Sequence, residues 1–577
     1  MKVFCSLFGL GVLLSVASIS ASALDRETFT ITKYDLEVRL DPAQQRLGAR
    51  GKITLRNDSP QPQKTAALQI SSSLSWRSIR AADKPLQFVS QPFVSDIDHT
   101  GELSEAIVTL PAEVKPKDSV ELEIGYEGVI PLDMTRLTRV GIPTDIARHT
   151  SWDQIGRSFT AVRGAGYVAW YPIATESADF SEGNSLFEVG NRWKAREAGS
   201  EFKARLTMSG DGDERAPAII CTPSARNSTE EMARTQQTSA ECTWAVLGTI
   251  APTFALARYH GDSKPPLMVL SLEGHESGAA TYVNAIEPAT KFVTEWFGKP
   301  TVPIAIADFA DPHAAPFESG TLLMASMAGE DTKLAGINLV HELVHSAFTS
   351  PRPWVSEGLA HFAEAVYREQ QGGREAALDL IGLHRAAFLD SEKEVAIAAQ
   401  KNAGQPLIST FDETYYRSKA AYVWWMLRDM VGPVALKQAI GDYRAPDDTD
   451  PKYIERLIES ASRRDLSWFF DDWVYHDRGL PDFHVQSVHP WKDTNQNRGK
   501  EVQMVTITVQ NLGAAGAEVP FTVRCEATDV ANRLEIRAKS AVTTRLELPC
   551  APIEIVVNDG SVPESDLTNN VFRITPE

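Results

Sequence analysis

The sequence predicts a multidomain α+β protein, with strands at both ends of the chain and helices in the middle. With 577 residues the chain is too long for one hydrophobic core, so about three domains are expected. Apolar and polar residues alternate before residue 260 and after residue 480, which is typical of half-buried strands. Between these positions the apolar spacing is mostly helical. We therefore predict domains at 24–260, 261–480 and 481–577, preceded by a segment that is removed.

That segment, residues 1–23, has the features of an export signal. Lys2 gives a positive start, a compact apolar run follows, and Ala21-Ser22-Ala23 is a cleavage pattern. No later stretch reaches the roughly 18 apolar residues that a membrane-spanning helix needs. We therefore predict a mature chain without a membrane span, exported to the periplasm or secreted.

Cleavage after the signal leaves four cysteines, an even number that favours disulfides in an exported protein. Their spacing pairs them locally, Cys221 with Cys242 and Cys525 with Cys550. The composition, 43% hydrophobic and 23% charged, is that of an ordinary globular protein. A formal net charge of −19 argues against nucleic acid and anionic membranes as partners. Nothing in the sequence indicates an oligomeric state.

The N-terminal region predicts an antiparallel β domain. Its clearest strands have apolar residues at every second position: Tyr34, Leu36, Val38, Leu40, and later Val120, Leu122, Ile124, Tyr126. A turn at Asp41-Pro42 separates the first of them from the next strand.

The central region contains the pattern H-E-x-x-H, at His341, Glu342 and His345. Apolar residues at helical spacing surround it, so the pattern should lie on a buried amphipathic helix. Histidines four residues apart share one helical face and can bind one metal ion, for which zinc is the natural candidate. The adjacent glutamate can act as a general base on a water molecule. The alternative is that these histidines are only hydrogen-bonded core residues.

A second helix should begin after the breaker at Pro351-Arg-Pro353 and contain Glu357, His361 and Glu364. Glu357 and Glu364 are seven residues apart and share a helical face. Either carboxylate could therefore complete the metal site, and His361 is a further candidate ligand.

The phrase from Trp354 through Glu357-Gly358 to Glu364 resembles the gluzincin aminopeptidases, a family that includes aminopeptidase N and leukotriene-A hydrolase. The resemblance implies one zinc ion per chain, bound by His341, His345 and Glu357. The family's usual spacing after the second histidine would instead select Glu364. Matching the local motif favours Glu357 and a shortened loop, which leaves Glu364 to accept the free N–H of a ligand histidine.

Two further segments carry the same resemblance. Glu318 stands close to where the family has a G-x-M-E-N segment, whose glutamate binds the α-ammonium of the substrate, although Ala315, Phe317 and Ser319 depart from the pattern. The segment from Tyr416 to Lys419 is similar to the family's Y-x-K-G segment, whose tyrosine donates to the oxyanion. One extra residue separates tyrosine from lysine here, so Tyr415 is the alternative donor.

Regions outside the motifs fit the same family. The strand-rich start resembles its N-terminal β-saddle, and the central sheet and helices resemble the thermolysin-like fold. Residues 481–577 have short strands and turns typical of an immunoglobulin-like β-sandwich. The family's large C-terminal helical domain has no counterpart in this sequence.

The sequence thus predicts an exported zinc aminopeptidase that acts on peptide or protein substrates. One alternative is a zinc endopeptidase of thermolysin type, since an open cleft need not select free amino termini. The other is a non-catalytic peptide-binding protein on a metalloprotease scaffold.

Overall fold

The computed structural model describes residues 24–182, 185–209, 217–221, 237–244, 247–329, 331–386, 388–392, 406–493, 502–526 and 528–574. The predicted export signal, residues 1–23, lies outside these ranges. The described chain is a multidomain mixed α/β structure with several sheets. None of its described helices has the length and apolar character that crossing a membrane requires.

The N-terminal region is built on strands, as its alternating pattern predicts. They are β1 (Phe29–Asp41), β2 (Arg46–Asn57), β3 (Gln63–Ser71), β4 (Leu74–Ala81), β5 (Lys84–Pro85), β6 (Phe88–Val94), β7 (Glu102–Val114), β8 (Ser119–Val129), β9 (Phe159–Val162), β10 (Glu201–Ser209), β11 (Ala218–Ile220), β12 (Gln237–Trp244) and β13 (Phe254–Ala257).

These strands form three sheets, in the orders β12-β10-β1-β2-β8-β4-β5, β3-β7-β6 and β11-β13-β9. Tyr34 pairs with Ile53 in the antiparallel β1–β2 ladder, and both side chains are buried. The prediction of an antiparallel domain is wrong at one place, because β1 pairs in parallel with β10. A parallel neighbour needs a crossover connection, which the chain makes through residues that are distant in sequence.

Helices also occur in this region, and the strand pattern did not predict them. They are α1 (Thr135–Arg139), α2 (Thr144–Thr150) and α3 (Ser185–Glu197), with a short 3-10 turn at Arg26–Thr28. Val189 and Trp193 of α3 lie four residues apart on one buried face. That spacing was a helical signal within an otherwise strand-rich stretch.

The central region has a five-stranded sheet in the order β14-β15-β16-β18-β17. Its strands are β14 (His260–Lys264), β15 (Leu267–Ser271), β16 (Ile304–Ala307), β17 (Phe317–Ser319) and β18 (Leu322–Met324). β17 is an edge strand, antiparallel to β18, with Glu318 opposite Leu323. This edge places Glu318 beside the helices that follow.

Those helices are α4 (Glu276–Phe297), α5 (Thr332–Ala347), α6 (Pro353–Gly382), α7 (Ala420–Asp442), α8 (Tyr453–Ser462) and α9 (Ser467–Phe470). Two π-helical turns, Thr414–Lys419 and Asp471–Tyr475, precede α7 and follow α9, and 3-10 turns lie at Leu407–Ser409 and Ala445–Asp447. α6 breaks at Gly373 and α7 at Gly432, where φ is 83° and 80°. The sequence predicts separate helices on either side of both positions.

The C-terminal strands are β19 (Phe483–Asp493), β20 (Val502–Asn511), β21 (Ala517–Cys525), β22 (Val530–Ile536), β23 (Ala541–Leu548), β24 (Pro552–Val557) and β25 (Val571–Arg573). They form two sheets, β19-β20-β23 and β22-β21-β24-β25. One continuous hydrophobic cluster runs from the central helices into these sheets, between Leu267 and Val562. A second cluster fills the N-terminal region.

One of the two predicted disulfides is present. Cys221 and Cys242 are bonded, with Cα atoms 5.8 Å apart. Within the described residues no disulfide joins Cys525 to Cys550, so that prediction is wrong for this structure, and the Cys525 thiol instead donates to the carbonyl oxygen of Cys550 at 3.4 Å. A register shift next to Cys525 places it opposite Pro552, and the Cys550 sulfur lies 3.8 Å from the carbonyl oxygen of Thr528.

Candidate functional site

The two histidines of the H-E-x-x-H pattern lie side by side on α5. Asp331 caps this helix by accepting from the backbone N–H of Lys333 at 2.7 Å. Leu339, Val340, Leu343 and Val344 bury the opposite side of the helix in the central core. His341 and His345 thus share a fixed face, and their Nε2 atoms are 3.2 Å apart.

Glu357 joins the histidines from α6, which begins with Pro353 at its first position. The turn between the helices is short, and it brings Glu357 Oε1 to 3.7 Å from His345 Nε2. Glu364 lies two turns further along α6 and faces the other side of His341. Its Oε1 is 2.7 Å from His341 Nδ1. Of these two glutamates of α6, Glu357 is the one near a paired Nε2 atom, whereas Glu364 contacts the remaining ring nitrogen of His341.

Glu318 lies closer to the histidines than the sequence predicts. Its Oε2 is 2.9 Å from His341 Nε2, and its Oε1 is 3.1 Å from His345 Nε2. The edge strand β17 thus places a second carboxylate against both imidazoles. Glu318, His341, His345 and Glu357 each have a ligand atom within 4.8 Å of the others.

This donor set fits a zinc ion. Two nitrogens bound to one tetrahedral zinc at about 2.0–2.1 Å would be about 3.3–3.4 Å apart, close to the observed separation of the two Nε2 atoms. Two imidazoles and a carboxylate are also the ligands that catalytic zinc sites use. Oε2 of Glu342 and Oε2 of Glu357 are buried, and neither has a hydrogen-bond partner among the described residues. Buried polar atoms are normally paired, so the site has unused binding capacity.

The carboxylates and imidazoles of the cluster stabilise one another's charged forms. Burial raises the pKa of Glu318, but the imidazoles of His341 and His345 outweigh it and bring that pKa well below its usual range. Burial lowers the pKa of His341, but the carboxylates of Glu318 and Glu364 outweigh it and raise that pKa well above its ordinary value. Protons and a metal ion would compete for these nitrogens, because only a neutral imidazole nitrogen can bind a metal.

The pKa of Glu342 is shifted in the opposite direction to that of Glu318. Burial and the nearby charge of Glu318 raise its pKa well above the usual range for a carboxyl group. The side chain is adjacent to His341 in sequence and is almost completely buried, with 1% of its surface exposed. A carboxyl group in these surroundings takes up a proton readily, which suits a general base.

Tyr416 lies beside the cluster on the π-helical turn Thr414–Lys419. Its hydroxyl is buried and has no hydrogen-bond partner among the described residues. Burial and the charge of Glu413 raise the pKa of Tyr416 well above its ordinary value, with smaller contributions from Glu357 and Glu318. The ring of Tyr415 lies 5.4 Å from Lys419 Nζ, and the choice of Tyr416 over its neighbour stays a prediction.

The π-helical turn also accounts for the extra residue between Tyr416 and Lys419. A π-helix bonds each residue to the fifth one along, so it admits one more residue per turn than an α-helix. Lys419, at its end, is held by Glu392 at 2.8 Å and Asp477 at 2.9 Å. A turn of this kind can therefore accommodate an added residue locally.

Sequence reasoning did not predict a role for His384 or Arg417, and considered His361 only as a rival ligand. The rings of His345, His341, His361 and His384 form a row, with successive centroids 4.9, 4.7 and 4.8 Å apart. His361 Nδ1 lies 3.2 Å from Glu364 Oε2. Its distance of three residues from Glu364 on the same helix was the signal for this contact.

Solved structures similar to this chain include M1 zinc metallopeptidases. One, from Deinococcus radiodurans, has a TM-score of 0.45 and 15% identity, over 79% of this chain and 95% of that chain. A mutant of it bound to a Tyr-Ser-Ala substrate has a TM-score of 0.46 and 15% identity, over 79% and 96%. A two-domain mutant form bound to L-tryptophan has a TM-score of 0.45 with the same identity, over 79% and 96%. No protein-family model matches the chain, and comparison with curated proteins finds no match.

Proposed function

We propose that this protein is an exported zinc-dependent aminopeptidase. One observation carries the proposal: ligand atoms of Glu318, His341, His345 and Glu357 lie within 4.8 Å of one another, and buried oxygens of Glu342 and Tyr416 have no hydrogen-bond partner among the described residues. His341, His345 and Glu357 would hold the metal. Zinc, when bound, polarises a carbonyl and lowers the pKa of a water molecule.

The chain's own residues supply the remaining steps. Glu342 accepts a proton from the attacking water and delivers it to the amine that leaves. Tyr416 donates its hydroxyl hydrogen to the carbonyl oxygen as negative charge develops there. Glu318, which is buried and anionic, binds the free ammonium group of the substrate and so selects amino termini. Glu364 accepts from His341 Nδ1 and fixes its tautomer.

The same proposal covers the organisation of the chain. Residues 24–260 form the N-terminal β domain, 261–480 a thermolysin-like peptidase domain and 481–577 an immunoglobulin-like β-sandwich. Export through residues 1–23 to the periplasm or the medium is consistent with the Cys221–Cys242 disulfide.

The test uses aminoacyl fluorogenic amides with zinc-loaded wild type, Glu342→Gln and Glu318→Ala proteins. We expect Glu342→Gln to lower kcat by about 10²–10⁴-fold with zinc retained, because the proton acceptor is lost. Glu318→Ala should abolish the preference for a free amino terminus over an N-acetylated peptide. The control, Glu295→Gln, changes an exposed glutamate of α4 and should leave both properties unchanged.

Two results would overturn the proposal. A wild type that cuts blocked peptides and ignores every free-amine substrate would be an endopeptidase. A wild type that binds zinc and cuts neither would be a binding protein on a peptidase scaffold.

A further inference from the structure

Arg417 is a charged side chain at the site that the proposed mechanism does not use. It follows Tyr416 on the π-helical turn, and its Nε lies 3.6 Å from Glu357 Oε2. Both atoms are buried, and neither has a hydrogen-bond partner among the described residues. The guanidinium is not wholly enclosed, since 31% of the Arg417 side chain is exposed.

Glu357 is thereby placed between two groups. Its Oε1 faces His345 Nε2 at 3.7 Å, and its Oε2 faces Arg417 Nε. A carboxylate with one oxygen held by a cation loses much of its freedom to rotate, so the other oxygen keeps its direction. Groups in contact with a metal ligand orient it in this way and affect the strength of metal binding.

Arg417 lies within the π-helical turn Thr414–Lys419. In an α-helix each added residue turns the chain by about 100°, so the wider π-helical geometry affects the direction in which the Arg417 side chain points. Lys419 holds the end of the turn through its buried bonds to Glu392 and Asp477.

Arg417 carries a positive charge at any working pH, because a guanidinium is not deprotonated in proteins. Glu413 is itself paired with Lys194, which leaves Glu357 as the acidic contact of Arg417 within the proposed metal site.

We propose that Arg417 is a positioning residue for Glu357, holding this carboxylate so that Oε1 points at the imidazole pair where zinc would bind. The proposal rests on the proposed function, because it assigns Glu357 as a metal ligand. It predicts that Arg417 acts on zinc affinity through Glu357 and not on substrate binding.

The experiment measures zinc dissociation by competition with a chromophoric chelator, together with kcat and KM on an aminoacyl amide. We expect Arg417→Gln to weaken zinc binding by about 10–100-fold, the usual loss when a partner of a metal ligand is removed. At saturating zinc KM should stay within about twofold of the wild type. Arg417→Lys keeps the charge and should restore part of the affinity. Arg456→Gln, an exposed arginine of α8, is the matched control and should bind zinc like the wild type.

A second pair of variants separates positioning from general damage. In a Glu357→Gln background, replacing Arg417 by glutamine should cause little further loss of zinc affinity, because its target is already gone. Unchanged zinc affinity in Arg417→Gln, a raised KM as its main defect, or an equal loss in both backgrounds would each overturn the proposal. A wild type that binds no zinc would overturn the proposed function as well, and it is recognised before any variant is made.

Discussion

Two groups of buried charged residues lie within the central region, and they differ in what their charged groups contact. Around Lys419, the ammonium group is bonded to Glu392 and Asp477 at 2.8 and 2.9 Å, 1% of the lysine side chain is exposed, and Asp477 Oδ2 has no hydrogen-bond partner within the described residues. Around His341, Oε2 of Glu342 and the hydroxyl of Tyr416 have no partner within the described part of the chain. Leaving a buried polar atom unpaired costs about 1–3 kcal/mol, so a bound group that paired with Glu342 and Tyr416 would recover that free energy.

We expect the first cluster to support the fold and the second to carry out chemistry. The π-helical turn Thr414–Lys419 contributes to both, with Tyr416 inside the turn and Lys419 at its end. The difference lies in the central groups, a paired ammonium in one cluster and imidazoles with carboxylates in the other, and three substitutions test it.

The largest expected effect is on stability. Lys419→Met should lower the free energy of unfolding by about 3–5 kcal/mol, because it leaves two buried carboxylates without their cation. Urea titration followed by tryptophan fluorescence measures this change. Lys52→Met removes an exposed lysine–glutamate pair of the N-terminal sheet and should cost no more than about 1 kcal/mol. Equal effects of the two substitutions would mean that the Lys419 cluster is not structural.

Tyr416→Phe should leave stability nearly unchanged and lower kcat by about 10²–10³-fold, since it removes one donor to the developing negative charge. Steady-state kinetics at saturating zinc measures it. Tyr415→Phe is the matched control and should keep kcat within a few-fold of the wild type. The reverse pattern would assign the donor to Tyr415 and contradict the proposed role of Tyr416.

Glu364→Gln should have the smallest effect of the three, a loss of about 10–100-fold in zinc affinity through the orientation of His341. Chelator competition measures it. Glu375→Gln, an exposed change on the same helix, provides the comparison. If Glu364→Gln abolished zinc binding as fully as His345→Ala, Glu364 would be a ligand itself, as counting along the sequence suggests.

Local patterns predicted a large part of the site. The helix of His341 and His345 follows from apolar residues at helical spacing, because one face of such a helix must enter the core. The start of α6 follows from its prolines, and the breaks at Gly373 and Gly432 follow from glycine's tolerance of positive φ. The choice of Glu357 over Glu364 depended on a resemblance, because both lie on the same helical face.

Other features depended on distant segments. The sequence predicts Glu318 at the edge of the site, whereas β17 brings its carboxylate into contact with both histidines. Sequence reasoning also did not predict that β1 pairs in parallel with β10, or that Cys525 forms no disulfide with Cys550 within the described residues. Both features depend on strand registers, which local alternation does not specify. No apolar pattern marked Arg417, since its position results from the π-helical turn.

By itself, the sequence determined which residues could bind a metal and which helix would carry the histidine pair, because side-chain chemistry and the 3.6-residue period are local properties. Only the tertiary structure decided that Glu318 contacts both paired nitrogens, that Glu364 contacts the remaining nitrogen of His341, and which oxygen of Glu357 a guanidinium faces. These are distances between segments far apart in the chain, and the packing of a shared core sets them.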